Sequence, residues 1–448
     1  MATPQKLQTA LTKWRGLHRR NALRSAYYAG EQQFTSYGIG LPSKMAAQAK
    51  TVIGWPRKTV DMLADLTAFA GFAVADDTDT ATVEWLTDFA RRSNLGVTVQ
   101  QAVVSAYTHG CAFITLATDG DGLPVLVPRS AAWCYGTWDS VMQRLSSVLT
   151  IDSMGGDNQP NRVTLHERGV DTVYTRGVMG WQATEFPATD PQRLTAYPVV
   201  SNPSLDRPLG VARIDREVIG LTQAAWRTVM RMECTAEYYS SPHVWLVGTA
   251  EDFDPGSGEN RWSALANAIN VVTGDENGQH PTLQQLAQAT MTPHGDMLKS
   301  LALLLSADTD IPPEALGIDR SNPTSADALA AMERRLSRKA DRMNRLLASS
   351  LERAARDAAA SQGVELGEFH ATFAATSEVS EAARVDAFTK ICSVCPVYAQ
   401  TPEAWERLGF DSQQVHGILR KIRAQQATDT LAQLMAAPSG VTEVDGDA

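Results

Sequence analysis

The stretch NPTSADALAAMERRLSRKADRMNRLLASSLERAARDAAAS, residues 322–361, decides how the rest of the chain is read. Leu329, Met332, Leu336, Ala340, Met343, Leu347, Leu351, Ala354 and Ala358 recur at a mean spacing close to the helical period, which predicts one long amphipathic helix over 325–361. Thr324 with Asp327 resembles an N-terminal cap. The outer face carries Arg334, Arg335, Arg338, Lys339, Arg342, Arg345, Arg353 and Arg356 against only Glu333, Asp341, Glu352 and Asp357. Such a stripe fits either a phosphate-contacting face or a solvated or subunit-pairing face whose arginines reach acidic neighbours. The second is the plainer reading.

Upstream of this helix the charge reverses. Residues 248–320 hold eleven acids (Glu251, Asp252, Asp254, Glu259, Asp275, Glu276, Asp296, Asp308, Asp310, Glu314, Asp319) and three bases (Arg261, Lys299, Arg320). This is either a solvated loop region or a surface that repels phosphate. Within it, Met297, Leu298, Leu301 and Leu304 predict a helix at about 295–307 that stops before Pro312-Pro313. Further upstream, a helix at about 211–240 carries Ile214, Val218, Leu221, Ala225, Val229, Met232, Ala236 and Tyr239 at spacings of three and four, and a strand follows at 243–247.

From Ala112 to about Thr195 the period is that of strands. The runs 112–118 and 123–127 flank Asp119-Gly-Asp-Gly122, a hairpin turn, and further strands fall at 145–152, 162–166, 170–176 and 180–186 as an antiparallel meander. Helices are predicted at 4–28, from Pro56 to near Gly71, and at 79–92 and 96–109. A β segment near 366–376, a helix at 379–392 and a helical pair over 402–436 close the chain before an acidic tail.

Composition excludes several classes. The 448 residues carry a formal charge of −10 and are 44% hydrophobic and 20% charged, the proportions of a globular protein and not of one that coats DNA by bulk positive charge. Five cysteines, scattered, imply no disulfide framework, and the N-terminus lacks the apolar core of a signal peptide, so a soluble, intracellular, reducing setting is expected. The longest uncharged run, 93–118, is too broken by polar residues for a membrane span. No phosphate-binding loop, nucleophile elbow or His-Glu-x-x-His occurs. Asp119-Gly-Asp-Gly122 lacks the downstream ligands of a calcium loop. Cys392-Ser-Val-Cys395 has no second pair and reads as buried thiols at a helix end. No catalytic residue, cofactor or metal is expected.

The order of elements resembles the portal (head–tail connector) proteins of tailed bacteriophages, in the branch typical of siphophages. The resemblance rests on Tyr27-Tyr-Ala-Gly-Glu31, Trp55-Pro-Arg-Lys-Thr-Val-Asp61, Ala70-Gly-Phe72, Pro208-Leu-Gly-Val-Ala-Arg-Ile214, Ala236-Glu-Tyr-Tyr-Ser-Ser-Pro242, Asp310-Ile-Pro-Pro-Glu-Ala-Leu-Gly317 and Asn322-Pro-Thr-Ser-Ala-Asp-Ala328, in that order. It implies an α+β portal fold. Residues 1–210 and 325–395 would form the wing, with the long helix in it. Residues 211–240 and 295–311 would be the two stem helices, 241–294 the clip, 312–324 the tunnel loop, 396–436 a helical crown and 437–448 a disordered tail.

The function it implies is a ring of twelve around a channel for packaging and ejecting double-stranded DNA at one capsid vertex, and for head–tail joining. The partners implied are the chain itself, duplex DNA without sequence specificity, a large terminase motor, the major capsid protein and scaffold, and a head–tail adaptor, with no membrane. Its place would be the virion, after assembly in the host cytoplasm. The residues implied are Pro312, Pro313, Gly317, Asn322 and Pro323 in the tunnel loop; Lys299, Asp308, Asp310, Glu314, Asp319 and Arg320 lining the channel; Glu251, Asp252, Asp254, Glu259, Asp275 and Glu276 docking partners at the clip; and Arg334, Arg338, Arg342 and Arg345 facing a neighbouring subunit or DNA. Two alternatives stay open: a minor capsid or head-completion protein, and a nucleic-acid-processing enzyme using the basic helix with metal at Cys392 and Cys395.

Overall fold

The computed structural model describes residues 4–33, 51–75, 79–239, 244–247, 282–285, 290–318, 326–376, 381–410, 415 and 417–422. The chain forms two compact units, residues 1–376 and 377–448. In order, the first unit holds α1 (Gln5–Ala29), α2 (Trp55–Ala64), β1 (Phe69–Val74), α3 (Thr80–Arg92), α4 (Leu95–His109), β2 (Cys111–Thr118), β3 (Pro124–Ser130), β4 (Cys134–Asp139), β5 (Arg144–Met154), β6 (Pro160–Glu167), β7 (Val170–Gly177), β8 (Gly180–Pro187), β9 (Ala196–Val200), α5 (Arg216–Tyr239), β10 (Val244–Val247), β11 (Thr282–Gln285), α6 (Thr292–Thr309), a 3-10 turn (Pro313–Leu316), α7 (Ala326–Ser361) and β12 (Phe369–Phe373). The second holds α8 (Glu381–Val394), a 3-10 turn (Pro396–Gln400) and α9 (Pro402–Leu408).

The long helix lies where its pattern places it. In α7, Leu336, Ala340, Met343, Leu347, Leu351, Ala354 and Ala358 are all buried, and they pack with α2, α3 and α4 in one core. The side chains of Leu329 and Met332 fall outside the described residues. The alanines toward the end of α7 let the helix come close to β9 and β12. There Tyr197 Oη donates to Asp357 Oδ2 at 2.7 Å, and Ser350 Oγ donates to the Pro198 carbonyl at 2.9 Å.

The strands divide where the sequence suggests one meander. A three-stranded sheet runs β3-β2-β9, and a five-stranded antiparallel sheet runs β4 to β8 in sequence order. The β2–β3 turn is a hairpin, as read: Asp119 Oδ1 accepts from the N–H groups of Asp121 (3.0 Å) and Leu123 (2.8 Å). That carboxylate oxygen is engaged by backbone, as a turn requires. The five-stranded sheet is covered on one face by α1, whose Leu7, Ala10, Leu11 and Trp14 pack on Leu149, Ile151, Val163, Leu165 and Tyr174.

Four expectations are corrected. The second helix stops at Ala64 and not near Gly71, because residues 69–74 leave it to pair with β12, with Gly71 at a φ of 146° beside a bulge. The helix predicted from 211 begins at Arg216: Asp215 Oδ1 caps it, accepting from the N–H of Glu217 and of Val218 at 2.9 Å each, and residues 211–214 are a packed strap instead. Strands β4 and β9 are additional. The thiols at the end of α8 are not buried: Cys392 is half-buried and Cys395 exposed.

In the second unit the rings of Phe388, Trp405 and Phe410 meet at 5.4 and 5.9 Å, and Trp405 Nε1 donates to the Ala399 carbonyl at 2.7 Å. Among the described residues no helix is long and apolar enough to cross a membrane.

The core role of α7 is open to direct test. Leu347→Ala removes a fully buried side chain and is expected to cost about 2–5 kcal/mol. Leu346→Ala, at the 40% exposed neighbour, is expected to cost under about 1 kcal/mol. Denaturant unfolding of the two variants compares them, and equal losses would contradict this packing.

Candidate functional site

The start of α5 lies beside the end of α6. Val218, Leu221 and Ala225 share an apolar cluster with Leu298, Leu301, Ala302 and Leu305, so the two helices run antiparallel. Residues 240–291 lie between them in sequence, and within that span β10 and β11 pair antiparallel. Arg213, just before α5, ties the helix pair to the core, alongside Gln223 Nε2 donating to Tyr27 Oη at 2.7 Å and Trp55 packing with Val218. The Arg213 Nε donates to the Thr59 carbonyl of α2 at 2.8 Å, its Nη2 donates to the Thr309 carbonyl in the last turn of α6 at 2.9 Å, and its own N–H donates to the Tyr107 carbonyl at 2.8 Å. A cation at the carboxyl end of a helix meets orphan carbonyls and the negative end of the dipole. Burial lowers the Arg213 pKa, against the pull of Tyr107, Asp310, Asp308 and Asp215.

Around Arg213 the acids and bases of the sequence come together. Asp310 ends α6 in the left-handed region with φ 60°. Lys339 Nζ reaches its carboxylate at 2.6 Å and Arg335 Nη1 at 3.3 Å. Burial pushes the Asp310 carboxyl up, but these two cations outweigh it and hold it below the usual value. Asp308 is the opposite case. It gathers with Asp215 and Glu217, their carboxylate oxygens within 4.8 Å of one another. Burial, a hydrogen bond to Glu217 and the charges of Asp215 and Glu217 push its carboxyl up to about 6, with Arg213 opposing. A cavity of about 260 Å³ opens between these acids and α7, lined by Tyr107, Asn202, Arg213, Lys339 and Arg342 among others.

The basic stripe of α7 is thereby partly accounted for. Arg335 and Lys339 hold Asp310. Arg342 Nη1 donates to Asn202 Oδ1 at 3.3 Å, Arg345 Nε to the Asp341 carbonyl at 3.3 Å, and the Arg356 guanidinium lies 5.1 Å from the centre of the Phe369 ring. Among the described residues Arg334 and Arg338 are exposed and make no ion pair.

Of the predicted tunnel-loop residues, Pro312 and Pro313 are buried and Gly317 takes φ 84°. Ser306 Oγ donates to the Ile311 carbonyl at 2.6 Å, and Ile311 and Leu316 are buried, so the first half of that loop is packed down. Lys299 and Glu314 are exposed. Asp319, Arg320, Asn322, Pro323 and the six acids Glu251, Asp252, Asp254, Glu259, Asp275 and Glu276 lie outside the described residues, as does the tail at 437–448.

Sequence reading did not single out Arg213, Asp215 or Glu217. The signal for the last two is an Asp two residues before a Glu at a helix start, which is cap chemistry. Arg213 lies in the quoted stretch 208–214, but the pattern there assigns it no role, because its acceptors come from residues 59, 107 and 309.

A family described as "Phage portal protein, SPP1 Gp6-like" matches residues 16–372. The portal protein of Mycobacterium phage D29 is 27% identical over 348 residues, 74% of this chain and 69% of that protein. The portal protein of Mycobacterium phage L5 is 27% identical over 351 residues, 75% of this chain and 70% of that protein. Among solved structures, a chain from the virion of a native gene transfer agent particle is similar at a TM-score of 0.44 and 12% identity, covering 87% of this chain and 99% of that one. A chain from the neck of the same type of particle is similar at 0.44 and 13%, with the same coverage.

The raised carboxyl of Asp308 has a testable sign. A folded pKa of about 6 above an unfolded value near 3.8 favours the folded state below about pH 4, and that contribution is lost as pH rises through about 6. Asp308→Asn is expected to melt higher than the parent at pH 7–8 and together with it near pH 4. A melting-temperature difference independent of pH, or larger at pH 4, would remove the argument.

Proposed function

This chain belongs to the SPP1 Gp6-like phage portal family, and from that premise we propose how it works: identical copies close into a ring, with twelve as the expected number, leaving a channel that passes double-stranded DNA into and out of the capsid and joins head to tail. The observation that carries the mechanism is the antiparallel pair of α5 and α6, which bracket residues 240–291 and end at the Arg213 junction. In this reading α5 and α6 form the stem, and residues 240–291 are the clip that docks the terminase motor and later the head–tail adaptor. Residues 312–324 form the tunnel loop, residues up to about 210 with α7 and β12 the wing, and 396–436 a crown. The protein is a structural component of the virion; the motor supplies the ATP chemistry.

Charge supports a bore that does not grip. Twelve copies of a chain at −10 carry about −120, and phosphates at one per about 1.7 Å would be held by a strongly basic lining. Asp310 offsets one of the two positive charges of Lys339 and Arg335, which makes this part of the stripe less attractive to phosphate. Among the described residues, exposed Arg334, Arg338, Arg342 and Arg345 make no ion pair and are the members of the stripe left for a neighbouring subunit or for DNA.

Electron microscopy and native mass of the purified protein are expected to show a ring with a central hole; a persistent monomer in the presence of capsid protein would overturn the reading. Deleting residues 249–290 is expected to abolish motor docking while rings still form, and loss of the ring would move the clip elsewhere. Asp308→Lys changes an exposed side chain without breaking the Asp310 ion pairs. It is expected to slow DNA packaging several-fold, and an unchanged packaging rate would place Asp308 away from the bore.

A further inference from the structure

A recess of about 540 Å³ lies among α1, β4 and the strap at 207–212, and the portal reading makes no use of it. Among the described residues four cations line it, Lys13, Arg20, Arg24 and Arg207, and no Asp or Glu does. The side chains of Arg20 and Arg207 are exposed and make no hydrogen bond or ion pair among the described residues. Arg24 is half-buried. Its Nε donates to the Ile214 carbonyl at 3.1 Å and its Nη1 to the His109 carbonyl at 3.0 Å, so Nη2 is left unengaged. Burial and then the charge of Arg20 lower its pKa to about 10, with Arg207 adding to this and Asp215 opposing. The guanidinium groups of Arg20 and Arg207 thus repel that of Arg24, and among the described residues no carboxylate lines the recess, Asp215 acting on Arg24 from outside it.

The same wall holds buried polar atoms with no partner: Trp138 Nε1, His109 Nδ1 and Asn21 Oδ1. His109 and Asn21 are 8% and 5% exposed. A buried polar atom without a partner costs its full desolvation; the Trp138 N–H lacks an acceptor and the Asn21 Oδ1 lacks a donor, and both beside clustered guanidinium groups point to a missing polar ligand. Thiol chemistry does not explain the recess. Cys111 and Cys134 line it, but burial pushes the Cys111 thiol up to about 12 and Cys134 higher still, despite the arginines.

We propose that this recess binds a compact phosphate-bearing ligand of nucleotide size, with Arg20, Arg24 and Arg207 on the phosphoryl oxygens and Trp138 Nε1 donating to a further acceptor. Guanidinium forks match tetrahedral oxyanions in two-point contacts. The volume falls within the range of roughly 300–1,000 Å³ usual for small-molecule sites. Tyr135 and Trp138 supply an aromatic wall for a base.

Titration calorimetry of the full-length protein, followed in parallel by tryptophan fluorescence, tests this with inorganic phosphate, pyrophosphate, ATP, a short DNA duplex and a glutamate-rich peptide. Pyrophosphate and ATP are expected to bind saturably, one per chain. Arg20→Glu and Arg207→Glu, both at exposed positions, are expected to weaken them by about tenfold or more each, with the melting temperature and assembly state kept. Trp138→Phe is expected to weaken binding while retaining the ring. The proposal fails if neither pyrophosphate nor ATP saturates, if the reversed-charge variants bind as tightly as the parent, if the duplex alone binds, or if the peptide competes as well as pyrophosphate.

Discussion

The guanidinium of Arg213 is the point on which the arrangement of the helix pair depends. A buried cation is costly unless acceptors surround it. Here the acceptors are carbonyls of two helices that are far apart in sequence, at Thr59 and Thr309. The backbone of the strap adds its own ties. Gly210 sits at φ 78° where a Cβ would come within 2.3 Å of the Ser201 carbonyl oxygen, and Val211 N–H donates to that same oxygen at 2.8 Å. Arg24 fixes the other end through the Ile214 carbonyl. The strap therefore sets where α5 begins and where α6 ends, and with them the spacing of whatever lies between the two helices.

That junction also resolves an apparent conflict of charge. A basic helix and an acidic stretch are separate features in the sequence, and each alone suggests a different relation to DNA. In the fold they meet at Asp310, 25 residues from Arg335 in the chain, whose carboxylate offsets part of the positive charge of Arg335 and Lys339. Among the described residues, what remains is a carboxylate cluster at Asp215, Glu217 and Asp308 on one side, and Arg334, Arg338, Arg342 and Arg345, which make no ion pair, on the other.

How far the sequence discloses the fold depends on whether the signal is periodic. The inward face of α7 is legible because seven consecutive contacts from Leu336 to Ala358 follow the helical spacing and all are buried. The hairpin at Asp119 is legible because its turn chemistry is local. Strand β4 is not, because Gly136 interrupts its alternation; that glycine is required where a Cβ would lie 2.8 Å from the Phe113 ring. Strand β9 is hidden by Pro198, which reads as a breaker but is tolerated on an edge strand. The start of α5 is displaced because apolar residues at 211–214 continue the helical spacing by coincidence while packing as an extended strap. The acids at 308 and 310 are legible as charges, and their opposite fates are not, since these are decided by Lys339 on one side and Glu217 on the other.

Both basic regions of the first unit obey the same electrostatics and differ only in what faces them. On α7, Lys339 and Arg335 find a carboxylate whose own burial they outweigh, so the cluster is satisfied within one chain. Around Arg24, the hydrogen-bond partners among the described residues are backbone carbonyls, Arg20 and Arg207 repel it, and Asp215 is the carboxylate that opposes them, without a hydrogen bond to it. Carbonyl dipoles fix the position of a guanidinium but do not cancel its charge. The first arrangement finds a carboxylate within the chain; the second has none lining it among the described residues, which is the ground for an oxyanion ligand there. Net charge alone does not distinguish them, since a chain at −10 overall can carry both. The distinction rests on where each positive group finds its counter-charge.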